Sequence, residues 1–132
     1  MSETVFVYGT LKKGGHNHYL LSDCIPLGEG VTSTSMTLLD LGAFPGVDIS
    51  RETSQIQGEV YKVSSLKDLD RLEGYPRFYN RKLVATTRGI AWIYFLDKPG
   101  RYDHSPIING GYWEADRRLR DLNLCQGGRD GA

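Results

Sequence analysis

With 132 residues, the chain has room for one domain and for a real core around a small pocket. Its 16 basic and 16 acidic side chains cancel, which removes the global field that nucleic acid or an anionic membrane surface would need. The apolar residues, 39% of the chain, form no run long enough to span a bilayer, and the opening Met1-Ser2-Glu3-Thr4 lacks the basic and apolar regions of a secretion signal. A cytoplasmic protein that binds neither nucleic acid nor membrane is expected. Cys24 and Cys125 stand far apart and in no metal-like pair, so both are expected as reduced thiols. His16, His18 and His104 read as surface groups, with no acidic or cysteine cluster nearby to complete a metal site.

In chain order, residues 5–8 (Val-Phe-Val-Tyr) are β-branched and aromatic and read as a buried strand that Gly9 stops. The glycine allows a sharp turn in which the N–H groups of Gly9, Thr10 and Leu11 leave the ladder and could hold an anion or an oxyanion. The continuation Lys12-Lys13-Gly14-Gly15 suits a negatively charged ligand or, equally, a solvated loop. Residues 18–24 form a short apolar patch suited to a helix that ends before Pro26, and residues 27–41, rich in Val, Thr and Ser, predict a long bent strand. Pro45 pushes Phe44 into an extended conformation within a turn over residues 42–47, where Phe44 either lines a pocket or is simply buried.

Residues 47–50 and 55–63 predict a hairpin with a bulge at Gly58. A helix follows, with Ser64-Ser65 as its cap, Asp68 placed as in a capping box, and Leu66, Leu69 and Leu72 at helical spacing. Gly74 can cap its end and Pro76 prevents it from resuming. Glu73 then sits at a helix C-terminus, where the macrodipole disfavours the carboxylate and raises its pKa; locally, an ordinary solvated Glu fits as well. Residues 82–87 and 90–96 flank Arg88-Gly89 as a second hairpin. Residues 107–113 end in Tyr112 and Trp113, which are packing lids or site walls. Residues 114–124 suit a surface helix, giving a single domain over 1–124 and a disordered tail over 125–132.

Two segments taken together add a reading that neither carries alone. Val7-Tyr8-Gly9-Thr10-Leu11, followed by Leu69-Asp70-Arg71-Leu72-Glu73-Gly74-Tyr75-Pro76 with Tyr79 and Arg81, resembles the γ-glutamyl cyclotransferase-like family, in particular its γ-glutamylamine cyclotransferase branch. Gly58-Glu59-Val60-Tyr61 is similar to the family's middle strand, and residues 107–113 resemble its late segment, with Tyr112 where the family often has Asp. The resemblance implies a small α+β domain with a β-barrel core and a few short helices. It also implies an enzyme that closes 5-oxoproline by attack of a γ-glutamyl α-amine on its own γ-carbonyl, without a cofactor or a metal.

By the same resemblance, Glu73 is the general base and acid, and Tyr8, Gly9, Thr10, Leu11 and Tyr79 bind the substrate. Phe44, Tyr112 and Trp113 are candidate pocket walls. The expected partner is a small γ-glutamyl compound. The alternative is a non-catalytic small-molecule binding module using the same pocket, although binding an anionic glutamyl group gains little from a second carboxylate.

Overall fold

The structure of the protein, a computed structural model, describes residues 2–120. Six β-branched and aromatic runs bounded by glycine, proline and polar residues become strands: β1 (Glu3–Val7), β2 (Ile25–Asp40), β3 (Pro45–Asp48), β4 (Ser54–Val63), β5 (Tyr79–Thr86) and β6 (Gly89–Leu96). One α-helix, α1 (Lys67–Glu73), and two 3-10 turns, His18–Leu21 and Pro99–Tyr102, complete the described elements. The strands pair in the order β3-β2-β4-β1-β6-β5. An additional β2–β5 pairing at Thr32 and Thr86 closes β2, β4, β1, β6 and β5 into a five-stranded barrel, with β3 attached to β2 outside the closure. Closure leaves no barrel edge for another chain to extend. The expected α+β barrel is thus the fold observed.

β1 is central in sequence pattern and in space. It runs antiparallel to β4 and parallel to β6, and its residues alternate between two cores. Val5 and Val7 pack with Leu66 and Leu69 of the α1 region, while Phe6 and the following Tyr8 pack with Met36, Val60, Ile93 and Trp113. A strand buried on both faces needs the continuous apolar run that residues 5–8 supply.

Three local expectations differ from the structure. β3 pairs with β2, through Thr37–Asp48 to Asp40–Pro45, instead of forming a hairpin with β4. The 16 residues of β2 make this possible: irregularities between Pro26 and Gly28 and between Val31 and Ser35 bend it, so that β4 and β3 both find partners along it. Those shifts lie in β2, and β4 stays in register at Gly58, where a Cβ would overlap the Val7 carbonyl and the Phe6 ring. Finally, α1 has no side-chain bond at its N-cap, Leu66; Ser65 Oγ instead accepts the Lys67 N–H at 3.1 Å. Its C-terminus is as expected, with Gly74 left-handed at φ 64°. The turn of helix over 117–120 agrees with the expected surface helix as far as it is described, whereas the proposed tail and Cys125 lie outside the described residues.

Candidate active site

At the C-terminal end of β1 lies a cavity of about 240 Å³. One wall is the loop Tyr8-Gly9-Thr10-Leu11 with His16 and Asn17, another is Phe44 with Pro45, and the rest comes from Leu72 and Glu73 of α1 together with Phe78, Tyr79 and Tyr94. The expected strand-to-turn break therefore becomes part of a concave site. Among the described residues, the N–H groups of Gly9, Thr10 and Leu11 donate to no protein acceptor, while the rest of the loop is tied down. Lys12 N–H reaches Gly9 O at 3.0 Å, Asn17 N–H reaches Thr10 O at 3.1 Å, and Asn17 Nδ2 donates to Thr10 Oγ1 at 2.9 Å. A loop fixed by its ends with free donors at its crest is suited to an anion or a developing oxyanion. Gly9 has a second reason to be glycine: a Cβ there would lie 2.9 Å from the Pro45 ring.

The two phenols are oriented by bonds to backbone. Tyr8 donates its hydroxyl to Tyr94 O at 2.7 Å and accepts the Val47 N–H at 3.2 Å, and Tyr79 donates to Pro45 O at 2.6 Å. With its one proton committed to Pro45, Tyr79 offers a ligand only lone pairs, which suits an ammonium. Burial raises the pKa of both hydroxyls, so they stay neutral.

Glu73 keeps partial exposure as a residue, through the cavity mouth, yet the surrounding protein desolvates its carboxyl. That desolvation pushes its pKa up to about 7, and no neighbouring charge contributes. The cause differs from the macrodipole inferred from sequence: α1 is only seven residues long, and burial alone accounts for the shift. Among the described residues the carboxyl has no hydrogen-bonding or ionic protein partner. A carboxyl that gains or loses a proton near neutrality beside open space can serve as both base and acid.

α1 is held in place by a network around Asp70 and Arg81. Arg81 Nε and a terminal nitrogen grip Asp70 at 2.9 and 3.2 Å, and Tyr94 donates to the same carboxylate at 2.6 Å. The guanidinium lies 4.4 Å from the Tyr75 ring centre and 4.6 Å from that of Trp92. Asp70 lies one helical turn before Glu73, so this anchored group sets where the Glu73 backbone stands.

The structure brings Tyr8, Gly9, Thr10, Leu11, Phe44, Glu73 and Tyr79 together around the cavity. Tyr112 and Trp113 are not among its walls. Trp113 is buried in the core with Tyr8 and Met36, and Tyr112 lines a separate cleft beside Lys12. Their backbone explains this: Gly111 O accepts the Gln57 N–H and Ile108 N–H donates to Leu38 O, both at 2.8 Å, which straps the late segment across β4 and β2. His18 is half-buried, its Nδ1 2.8 Å from Leu11 O, and is not the surface group expected, whereas His104 is exposed. Asn17, Phe78 and Tyr94 also line the cavity, where no local signal in the sequence pointed, because only the tertiary fold reveals which residues face it.

Known proteins resemble this chain in sequence and in fold. The model of the family described as γ-glutamyl cyclotransferase, AIG2-like, matches residues 5–115. A Vibrio cholerae protein provisionally named a γ-glutamylcyclotransferase is 41% identical over 115 residues, covering 86% of this chain and 96% of its own. The solution structure of ytfP from Escherichia coli is similar at 32% identity and a TM-score of 0.64, covering 83% of this chain and 95% of that one. The crystal structure of an aig2-like protein from Mus musculus shares the fold with a TM-score of 0.71 at 24% identity, over 86% and 88% of the two chains.

Proposed function

The chain belongs to the γ-glutamyl cyclotransferase, AIG2-like family, and we propose that it converts a γ-glutamyl amine or peptide into 5-oxoproline and the free amine. The observation that carries the reading is the desolvated Glu73 carboxyl, with its pKa near 7, in a cavity rimmed by unpaired backbone donors. The γ-glutamyl group enters with its α-ammonium toward Glu73 and the Tyr79 oxygen, and its oxyanion or α-carboxylate toward the N–H groups of Gly9, Thr10 and Leu11. Glu73 takes a proton from the ammonium. The amine lone pair attacks the γ-carbonyl carbon, forming the ring C–N bond and a tetrahedral oxyanion. Collapse breaks the bond to the departing nitrogen, which receives the proton that Glu73 carries. The ring nitrogen gives up its second proton by way of the re-ionised Glu73 to the released amine, which departs as an ammonium and leaves the neutral lactam. No water, cofactor or metal enters this balance; holding the glutamyl chain folded supplies much of the acceleration.

The amine released is the finer part of the proposal. The cavity walls place no lysine or arginine against the substrate, so a departing group that needs no cationic partner fits best, in keeping with a γ-glutamylamine. Incubation with a panel of γ-glutamyl amines and γ-glutamyl peptides, with detection of 5-oxoproline, tests both parts. Product from an amine substrate, with kcat/KM rising as pH increases through about 7 because the base must be ionised, is the expected result. Binding of such compounds without any 5-oxoproline would establish the non-catalytic module instead.

A further inference from the structure

Next to the Gly9–Leu11 loop, and outside the cavity that holds Glu73, is a second buried charge. Lys12 is 2% exposed, donates from Nζ to the Trp113 carbonyl, and holds its ammonium 3.7 Å from the centre of the Tyr112 ring. Its neighbour Lys13 donates its N–H to Glu59 Oε1 at 3.0 Å, and Tyr61 donates to the same oxygen at 2.8 Å. The segment 9–12 is therefore fastened at its far end to the late segment and to β4, while Gly9, Thr10 and Leu11, whose N–H groups have no protein acceptor among the described residues, line the cavity. We propose that Lys12 is a positioning residue for substrate binding: its cation clamps the loop against Trp113 O and Tyr112, and the clamp holds the three donors in their binding arrangement. The effect on turnover rests on the cyclotransferase reading; the effect on the loop does not.

The clamp has a titratable lock. Desolvation lowers the Lys12 pKa to about 8, against the upward pull of Glu59 on β4, Glu114 on the late segment and Glu29 on β2. Asp116, close to Gly14, and the Tyr112 hydroxyl, kept protonated by a raised pKa, are the other ionisable groups on that side. Below about 8 the ammonium is charged and both contacts are made; above it the neutral amine loses the cation–π attraction and the charge-assisted bond.

Two measurements test this, one without any ligand. Amide NMR of Gly9, Thr10 and Leu11 across pH 6 to 10 (a window of about two units on either side of 8), with the cavity carboxyl's own titration near 7 removed by Glu73→Gln, is expected to show a shared transition near pH 8 while Lys12 is present. The transition should be absent in Lys12→Met, whose loop signals should resemble the alkaline form, and displaced upward in Lys12→Arg. For binding, calorimetry with 5-oxoproline in a Glu73→Gln background removes the cavity carboxyl as a competing titration. Affinity there should fall through pH 8 and be pH-independent and roughly tenfold weaker after Lys12→Met. In the Glu73→Gln background, loop amides that do not titrate with Lys12 present, or titrate unchanged in Lys12→Met, would overturn the clamp. If the amides titrate as expected but 5-oxoproline does not bind, the clamp stands and the cyclotransferase reading is the one that fails.

Discussion

Glu73 and Lys12 are both ionisable groups taken out of water, one lining the cavity and one beside a separate cleft, and desolvation dominates both, raising the acid to about 7 and lowering the base to about 8. What differs is the company they keep. Lys12 has a carbonyl, an aromatic face and three carboxylates around it, so its charge is compensated in place. Among the described residues Glu73 has no hydrogen-bonding or ionic partner, and it lines a cavity. Burying a group that still lacks a partner is costly unless a ligand completes it. The contrast separates a carboxyl poised to exchange a proton from a cation that fastens the chain.

The hardest test of that contrast is Glu73→Gln, which should cut turnover by roughly 10²–10⁴-fold with the fold intact. The same variant should be more stable than the parent at alkaline pH. A carboxyl whose folded pKa is raised from 4.5 to about 7 contributes fully below the unfolded value, and its contribution is lost as pH rises through the folded one. Above pH 7 the parent carries a penalty of at most about 3 kcal/mol that the amide avoids. Thermal melts at pH 5 and pH 8.5, giving equal gains for the variant at both, would show that Glu73 is not desolvated as described.

Gly9→Ala comes next. Its Cβ would meet Pro45 at 2.9 Å, so we expect about 1–3 kcal/mol of destabilisation by urea denaturation, from overpacking the cavity wall. An unchanged midpoint would mean that the Pro45 wall yields, leaving the substrate approach as the reason for glycine. Tyr79→Phe removes the bond to Pro45 O and the acceptor facing the cavity; about 1 kcal/mol of stability and a larger loss in kcat/KM than in melting temperature are expected. If activity falls only in proportion to stability, Tyr79 is a wall and not a ligand. The smallest effect is assigned to Tyr112→Leu, which should raise KM about two- to fivefold, the scale of one exposed cation–π contact, and leave kcat unchanged. A fall in kcat would move Tyr112 back to the cavity wall, where it stood as a candidate from sequence.

Much of this site was legible in the amino-acid order because its parts are local. Residues 5–11 encode a buried strand and its break, and residues 65–76 encode a helix with its glycine stop, so the turn and the helix end were placed from local pattern, while the loop and Glu73 became site candidates only through the family resemblance that the two segments carry together. The strand content was legible for the same reason: period and β-branching are properties of a few neighbouring residues. Pairing was not. β3 joins β2 and not β4 because β2 bends and is long enough to hold both, a fact settled by contacts between residues far apart in the chain. The same distance dependence hid the environment of the charges. Lys12 reads as a solvated loop lysine until Trp113, about a hundred positions later, closes over it, and Tyr112 leaves the cavity because the late segment is strapped to β4. The sequence thus determined which groups could do chemistry and where the chain turns, through local sterics and periodicity. Tertiary structure alone decided which of them lost their water and what replaced it, because desolvation is a property of everything packed around a group and not of its neighbours in the chain.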